Sequence, residues 1–498
     1  MAEIRVTYAG MISVVVGLLT VITGLVFTII LTRTLDPVEF GTWGVITVLF
    51  LGVLNIEPII SYWATREVAR GLESAKTAIF SSGIFSSMAV IIYLIIVHFV
   101  HSGTDTDFES IFLAAFLIPI IFLNRVLSGI NLGWKPQAVS YGILVMGVTQ
   151  IPMALIFVYF FDMGVIGIII SVAIANISSI IVLAISARET IKKEFQIKFL
   201  KKWFRLSWLP FYPGIAGMVH AYDVVVFSLM AGSVEGIGFW TAAVLLPNLI
   251  SNSGLISTAV YAKLLQKGKM ENIQRNVTQI FFFAFPLSAI VIVFAEPGLF
   301  ILNPIYQIAF PVVIIMTFQV VLNTLSTVFQ SMLKGIETVD VDEKASFKQY
   351  IKSKLFLLPT LLLIQYSIYI TLLVIMLWAA PPNSNLIDLI TYWAIIMLST
   401  QIPMTIWHYI MVRKNLNVKF EKNIIVKYFV VALVVFSLIY FVSEQFLEYD
   451  NNIFIFVPKI ILLTVIGICG YILITYLIDS STKKLVSAII NELKQKFD

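Results

Sequence analysis

The sequence has few of the charged residues that a soluble protein needs at its surface. Of 498 residues only 12% are charged, whereas 59% are hydrophobic, and the mean hydropathy is +0.96. Soluble domains usually contain about 25% charged and 45–50% apolar residues. A chain of this composition would precipitate from water, so its solvent must be the lipid bilayer.

Cysteine and the common catalytic motifs are also scarce or absent. The single cysteine, Cys469, lies in an apolar run, which excludes an intramolecular disulfide and a cysteine-based metal set. P-loop, HExxH and GxSxG patterns do not occur. The sequence therefore predicts no catalytic residue, cofactor or metal site. Without a P-loop, active transport must draw on an ion gradient or on consumption of the product.

Apolar runs long enough to cross a bilayer follow one another along almost the whole chain. A transmembrane helix needs about 20 mostly apolar residues. This length predicts an all-α polytopic membrane protein with about fourteen spans, of which the first is uncleaved. The predicted spans are residues 11–31, 42–62, 77–100, 109–131, 138–161, 164–186, 206–230, 236–261, 277–301, 309–333, 354–380, 386–411, 427–445 and 453–477.

The basic residues predict the orientation of these spans. All Lys and Arg residues except Arg33, Arg125 and Lys459 fall in segments on one side of the predicted membrane. Such loops face the cytoplasm, so both termini are predicted to be cytoplasmic in a multi-pass plasma-membrane protein. The net charge of +5 is thus a topology signal, and nucleic acid is not predicted as a partner.

Two segments outside the spans are rich in lysine. The linker 188–205 combines Ile191, Phe195, Phe199 and Trp203 with seven basic residues, and the tail 481–498 repeats apolar residues every four positions. Both patterns are typical of amphipathic helices on the cytoplasmic surface, although a solvated charged loop is the alternative.

An internal repeat is also indicated. Residues 38–55 (VEFGTWGVITVLFLGVLN) and 234–252 (VEGIGFWTAAVLLPNLISN) align with a one-residue gap, matching Gly41 with Gly238 and Trp43 with Trp240. An offset of six spans gives two halves of the same orientation, which is a parallel repeat. Two-lobed repeats of this kind usually belong to transporters that rock about a central site.

Several short motifs carry a resemblance to a known family. The turn Arg33-Thr-Leu-Asp-Pro37-Val-Glu-Phe-Gly41 resembles the R-x-L-G-P-x-x-[FY]-G turn of polysaccharide flippases in the multidrug/oligosaccharidyl-lipid/polysaccharide exporter superfamily. Asn303-Pro-Ile-Tyr306, Met332-Leu-Lys-Gly335 and the acidic Asp223 in the seventh span continue the resemblance. Two departures are Asp36 in place of the usual Gly and Val224 where Arg is common.

The resemblance implies a flippase that moves a lipid-linked oligosaccharide or polysaccharide precursor from the inner to the outer leaflet by alternating access. An N-terminal lobe (1–187) and a C-terminal lobe (206–412), joined by the linker 188–205, would face a central cavity. Spans 427–477 and the tail would be appended to them. The implied partners are membrane lipid, the lipid-linked glycan, H⁺ or Na⁺ and glycan-biosynthesis enzymes.

Ionisable residues inside spans are costly and are candidates for function. Arg33 and Arg125 lie in the first and fourth spans, where each could bind a phosphate or diphosphate bidentately or extend to the membrane surface. Glu57 precedes the helix-breaking Pro58 in the second span. Asp223 and His220 lie one turn apart in the seventh span, either as one titrating unit for cation coupling or as a structural pair.

Two other readings remain open. Trp63, Trp208, Trp240, Tyr62 and Tyr222 could stack on sugars or belong to the aromatic belts of the interface. A cation-coupled drug or small-metabolite antiporter of the same superfamily is the alternative function. A membrane glycosyltransferase is the alternative of another class, because an outer loop carries a pair of aspartates. This pair, Asp105 and Asp107, fits a solvated loop better.

Overall fold

A computed structural model gives the fold of the chain. It describes residues 22–205, 207–255, 270–337, 347–381, 384–416 and 421–480, together with Val16, Leu19, Thr20, Thr482 and Lys483. Within these residues every regular element is helical and no strand occurs. The predicted all-α polytopic class is therefore confirmed.

Helices occupy the position of every predicted span. They are, in chain order, α1 (Ile22–Thr34), α2 (Pro37–Leu54), α3 (Pro58–Ala69), α4 (Ala75–Gly103), α5 (Phe108–Ala114), α6 (Leu117–Trp134), α7 (Pro136–Ala154), α8 (Gly164–Ile191), α9 (Ile197–Arg205), α10 (Trp208–Ala221), α11 (Asp223–Ala231), α12 (Glu235–Asn248), α13 (Met270–Val293), α14 (Ala295–Leu302), α15 (Phe310–Gly335), α16 (Phe347–Lys352), α17 (Lys354–Ala379), α18 (Leu386–Leu416), α19 (Lys422–Phe446) and α20 (Ile453–Ile478). A π-helical turn, Leu155–Phe160, and two 3₁₀ turns, Leu249–Leu255 and Pro304–Ala309, extend or join them.

Most of these helices are long and apolar enough to cross a membrane. Among the described residues 11 qualify as single spans, and a twelfth is formed by Ile280–Val293 and Ala295–Leu302, which bend by 68°. The described part of the first span, Ile22–Thr34, is a shorter apolar helix. Their exposed faces are apolar, as in α4, where large side chains recur every three to four residues on the outside. The chain is therefore a multi-pass membrane protein.

The turn between α1 and α2 explains one departure from the flippase motif. Asp36 caps α2 by accepting a hydrogen bond from the Glu39 amide (2.8 Å), and the Glu39 carboxylate accepts one from the Asp36 amide (3.2 Å). This reciprocal pair is a capping box, and Pro37 fits the first helical position because it needs no N–H partner there. An aspartate thus starts the helix where the family usually has glycine.

The chain divides into two compact units. The first unit comprises Met1–Thr241 and Leu362–Leu386, and the second comprises Ala242–Leu361 and Ile387–Asp498. The division falls after the start of α12 and not in the linker 188–205. The six-span lobes 1–187 and 206–412, and the separate spans 427–477, stay predictions.

The linker forms a helix, but its apolar face is partly turned into the protein. Phe199 and Trp203 of α9 are buried within the first unit, whereas Phe195 is exposed. The predicted tail helix 481–498 lies outside the described residues except for Thr482 and Lys483. Thr482 and Tyr428 both donate hydrogen bonds to the buried carboxylate of Asp479, just before this segment.

Candidate transport site in the first compact unit

The second span is interrupted inside the membrane. Helix α2 ends at Leu54, a turn of three residues follows, and α3 begins at Pro58, as expected for a residue that cannot donate a backbone hydrogen bond. Glu57 in this turn is only 4% exposed, and its Oε1 has no hydrogen-bond partner among the described residues. The side-chain nitrogen of Asn55 is also buried without a hydrogen-bond partner among the described residues. Buried polar atoms without partners are rare and costly, so this break is a candidate site.

Arg125 of α6 lies close to Glu57. Helix α3 approaches α6 closely because Gly133 faces the Thr65 carbonyl, at 2.5 Å from an added Cβ, and the Thr65 hydroxyl donates to the Gly129 carbonyl (2.7 Å). Arg125, one turn before Gly129, is exposed and attracts the Glu57 carboxylate electrostatically. A predicted binding residue and a predicted coupling residue are thus neighbours.

The seventh span is also interrupted, between α10 and α11. Asp223 begins α11, is 4% exposed and accepts hydrogen bonds from the Tyr369 hydroxyl (2.7 Å) and from the Val224 amide (2.8 Å). The ring of His220 lies 5.7 Å from the ring of Tyr369 and 4.6 Å from that of Tyr366. A tyrosine hydroxyl of α17 therefore bonds the carboxylate, with valine at the position where arginine is common.

A polar residue of each break contacts the helix of the other span. The Tyr222 hydroxyl lies 2.6 Å from where a Cβ on Gly52 would be, and the Asn55 side chain fills the space beside Gly214 of α10. Glycine at positions 52 and 214 is what lets these polar side chains approach the neighbouring helix. We call the polar side chains of the two breaks, from Glu57 to Asp223, the polar region.

The other predicted residues have separate places. Arg33 is half-buried at the end of α1 and makes interactions of its own. Trp63 is half-buried, with a buried indole nitrogen that has no described partner. The sequence reasoning missed Tyr366 and Tyr369, whose only signal was their position in an apolar span. It also missed His408 of the second unit, which is fully buried and hydrogen-bonds Ser326 through Nδ1 (2.7 Å).

The aligned glycines of the predicted repeat meet in the structure. A Cβ on Gly41 would overlap the Val234 carbonyl, and a Cβ on Gly238 would overlap the Pro37 carbonyl. A Cβ on Gly44 would lie 3.0 Å from the hydroxyl of Thr241. The offset between Gly41 and Gly238 equals that between Pro37 and Val234, so the two carbonyl contacts are counterparts and α2 and α12 cross about a local two-fold axis. We call this contact the glycine crossing.

The two aspartates of the predicted outer loop act as caps. Asp105 accepts hydrogen bonds from the Val234 amide (2.8 Å) and the Ser233 hydroxyl (3.0 Å) ahead of α12. Asp107 caps α5 through the Ser110 amide (2.9 Å). Burial raises the pKa of Asp107, but the Ser110 and Glu109 hydrogen bonds and the charge of His101 together lower it below the ordinary value. Within the described residues no group of three His, Cys, Asp or Glu side chains could hold a metal.

The second unit contains a large apolar cavity of about 1020 Å³. Its walls come from α13, α15 and α19, with side chains such as Phe285, Phe318, Val321 and Phe436. Glu296 and Glu444 lie among the lining residues, and Glu444 accepts a hydrogen bond from Tyr440 (2.6 Å). We call this cavity the apolar groove.

Comparison with known proteins gives structural relatives only. The sequence matches no known family profile and no curated protein. The structure is similar to lipid II flippase MurJ in an inward closed conformation, with a TM-score of 0.69 and 14% identity over 96% of this chain and 100% of that one. It is also similar to an inward-facing multidrug resistance MATE family transporter of the MOP superfamily, with a TM-score of 0.59 and 16% identity over 79% of this chain and 95% of that one.

An outward-facing structure of a MATE family transporter gives a TM-score of 0.53 at 15% identity, over 83% of this chain and 95% of that one. These proteins are transporters and a flippase by description, not enzymes. The chain therefore has a fold similar to that of these transporters and of lipid II flippase MurJ, in line with the resemblance of its sequence motifs.

Proposed function

We propose that this chain is a flippase that moves a lipid-linked oligosaccharide or polysaccharide precursor across the cytoplasmic membrane by alternating access. Both termini would lie in the cytoplasm. The substrate's charged head group would cross through the polar region of the first unit. Its lipid chain would stay in an apolar environment throughout.

The apolar groove is the observation that carries this proposal. Its volume of about 1020 Å³ is at the upper limit of about 1,000 Å³ for ordinary small-molecule pockets. Its lining is mainly aliphatic and aromatic, which suits a hydrocarbon chain and not a sugar. One wall belongs to α19, the thirteenth predicted span, which a twelve-span drug exporter would not have. The likeness to lipid II flippase MurJ, which covers 96% of this chain, supports the same choice.

The polar region supplies groups for the head group and for coupling. Arg125 has five N–H donors that match a diphosphate, and Arg33 has the same chemistry. A bound diphosphate would compete with Glu57 for Arg125 and would leave that carboxylate free to take up a cation. Asp223 and His220 would form the second coupling site, with H⁺ or Na⁺ as the driving ion.

A cation-coupled antiporter of drugs or small metabolites is the second candidate. The buried carboxylate of Asp223 favours it, since an ion site alone does not require a lipid-linked substrate. The glycosyltransferase alternative has no such support, because the carboxylates of Asp105 and Asp107 both cap helices.

Transport in liposomes separates the two candidates. The purified protein is reconstituted, and translocation of a fluorescent lipid-linked oligosaccharide is compared with uptake of a water-soluble drug. Ala432→Trp narrows the groove, whereas Leu438→Trp, on the exposed face of the same helix, is its matched control. We expect Ala432→Trp, but not Leu438→Trp, to lower the rate at which the lipid-linked oligosaccharide is translocated. Drug uptake with no translocation of the lipid would instead support the antiporter.

A further inference from the structure

Helix α9 is held against the first unit by one of its faces. The buried carboxylate of Glu67, at the end of α3, accepts hydrogen bonds from Lys202 Nζ (2.9 Å) and from the Trp203 indole (3.1 Å). The Gln196 amide, one residue before the helix, donates to the Thr77 hydroxyl (2.9 Å). Phe199 and Trp203 are buried on this side. These contacts fix the rotation of the helix and decide which residues point away from the protein.

The outward face of α9 is basic. Lys198, Lys201 and Arg205 are exposed and follow at the three- and four-residue spacing of one helical face. Two acidic residues of this region have other partners, since Glu67 pairs with Lys202 and Glu73 with Lys193. Within the part of the chain that the structure describes, the three outward cations form no ion pair.

An apolar edge beside these cations continues the membrane-facing surface of α4. Phe204 is 65% exposed and Ile197 54%. The Phe195 ring packs edge-on against Phe80 of α4, with centroids 5.1 Å apart. Phe80 is itself the first of a stripe of exposed apolar residues along that span, namely Phe80, Ile84, Met88, Ile91, Ile95 and Phe99. Helix α9 therefore lies where this lipid-facing stripe reaches the end of the hydrocarbon layer.

We propose that Lys198, Lys201 and Arg205 form a binding site for the head group of an anionic phospholipid in the leaflet beside α9, which the topology predicts to be the cytoplasmic one. The phosphate would contact the three cations, and the acyl chains would lie along Phe204, Phe195 and Phe80. Cations next to an apolar edge match the charge and the amphipathic shape of such a lipid.

An acidic soluble partner fits this surface less well. The apolar edge is continuous with residues that face lipid, so a partner protein would have to enter the membrane interface. Free phosphate has no apolar part that could contact the apolar edge. A phospholipid therefore fits this surface best, because it alone supplies both an anionic head group and an apolar part.

The test uses the full-length protein in a neutral detergent, titrated with dioctanoyl phosphatidylglycerol while thermal unfolding is followed by tryptophan fluorescence. The variant carries Lys198→Gln, Lys201→Gln and Arg205→Gln. Its matched control carries Arg413→Gln, Lys414→Gln and Lys422→Gln, three exposed basic residues on the same predicted membrane side. Each cation near an anionic surface is worth about fivefold in affinity, so the α9 variant should bind roughly a hundredfold more weakly.

The control variant should bind within about twofold of the unchanged protein. Equal losses in both variants, or no loss in the α9 variant, would overturn the proposal, because binding would then follow overall charge or another site. Stabilisation by inorganic phosphate as strong as that by the lipid would overturn it in favour of a simple anion site. If the triple variant does not fold, Lys201→Gln alone should still weaken lipid binding about fivefold, and unchanged binding there would also reject the site.

Discussion

The glycine crossing is the contact whose perturbation has the clearest expected result. An alanine methyl at position 41 or 238 would overlap a backbone carbonyl oxygen, where carbon–oxygen contacts normally begin at about 3.3 Å. The helices would have to separate by more than about 1 Å. Forced overpacking costs about 1–3 kcal/mol, and a carbonyl on a rigid helix can give way less than a side chain, so the upper part of that range applies.

The helix itself gains stability from the same substitution. Glycine to alanine inside a helix is favourable by about 1 kcal/mol. Gly41→Ala should therefore destabilise the crossed arrangement by about 1–2 kcal/mol net. Gly83→Ala is the matched control, since nothing lies within 4 Å of a Cβ there. The control should be neutral or stabilised by about 1 kcal/mol.

Access of a thiol reagent reports on the crossing directly. In a Cys469→Ser background, Thr241→Cys lies beside Gly44, one turn along α12 from the crossing. A polar maleimide added from outside should label it slowly in the parent and about five- to thirtyfold faster with Gly41→Ala. Gly41→Ala and Gly238→Ala together should add little to either alone, because both open the same contact. Labelling in Gly41→Ala that matches Gly83→Ala would refute the reasoning.

Three further predictions concern the polar region and the topology. Tyr369→Phe should destabilise the protein by about 0.6–1.7 kcal/mol in thermal unfolding. Its effect should be smaller in an Asp223→Asn background, because the amide oxygen accepts a weaker hydrogen bond than a carboxylate. Loss of gradient-driven accumulation in Asp223→Asn liposomes would mark a coupling role, and full accumulation would exclude it. Arg125→Ala should reduce translocation more than Arg125→Lys if charge alone matters. Glu57→Gln should restore part of the stability lost with Arg125→Ala, because the second substitution removes an uncompensated carboxylate. Equal stability of Arg125→Ala and the Arg125→Ala/Glu57→Gln double variant would exclude the pairing. A reporter fused after Asp498 should be active only in the cytoplasm, and activity outside the cell would invert the topology.

Local patterns in the sequence predicted the helices and one of their interruptions. The apolar runs located the spans, Pro58 located the break between Leu54 and α3, and the spacing of Phe199 and Trp203 predicted the linker helix. These features depend on neighbouring residues, through backbone hydrogen bonding and helical periodicity. The local pattern predicts that the apolar face of the linker helix lies on the membrane surface. In the structure Phe199 and Trp203 of this face are buried in the protein, where Trp203 contacts Glu67.

The partners of the candidate residues could not be predicted in the same way. Tyr369 is 146 positions from Asp223, and nothing in an apolar span distinguishes a tyrosine that bonds a carboxylate from one at the interface. His408 was missed for the same reason, since its partner Ser326 lies on another helix. The apolar groove is a gap between helices, and its volume depends on packing angles that no motif encodes.

The glycine crossing also bears on the origin of the chain. In a symmetric homodimer every contact between two residues occurs twice, once on each side of the two-fold axis, with the two chains exchanged. The contacts of Gly41 with the Val234 carbonyl and of Gly238 with the Pro37 carbonyl are such a pair. In a homodimeric ancestor a single glycine would have met the carbonyl four residues before its own copy across the axis, so one codon would have maintained both contacts. If the two halves arose by duplication and fusion, the two glycines now mutate independently, yet a side chain at either position would still force the helices apart. Loss of either glycine in a descendant should therefore be accompanied by a change in the opposite helix.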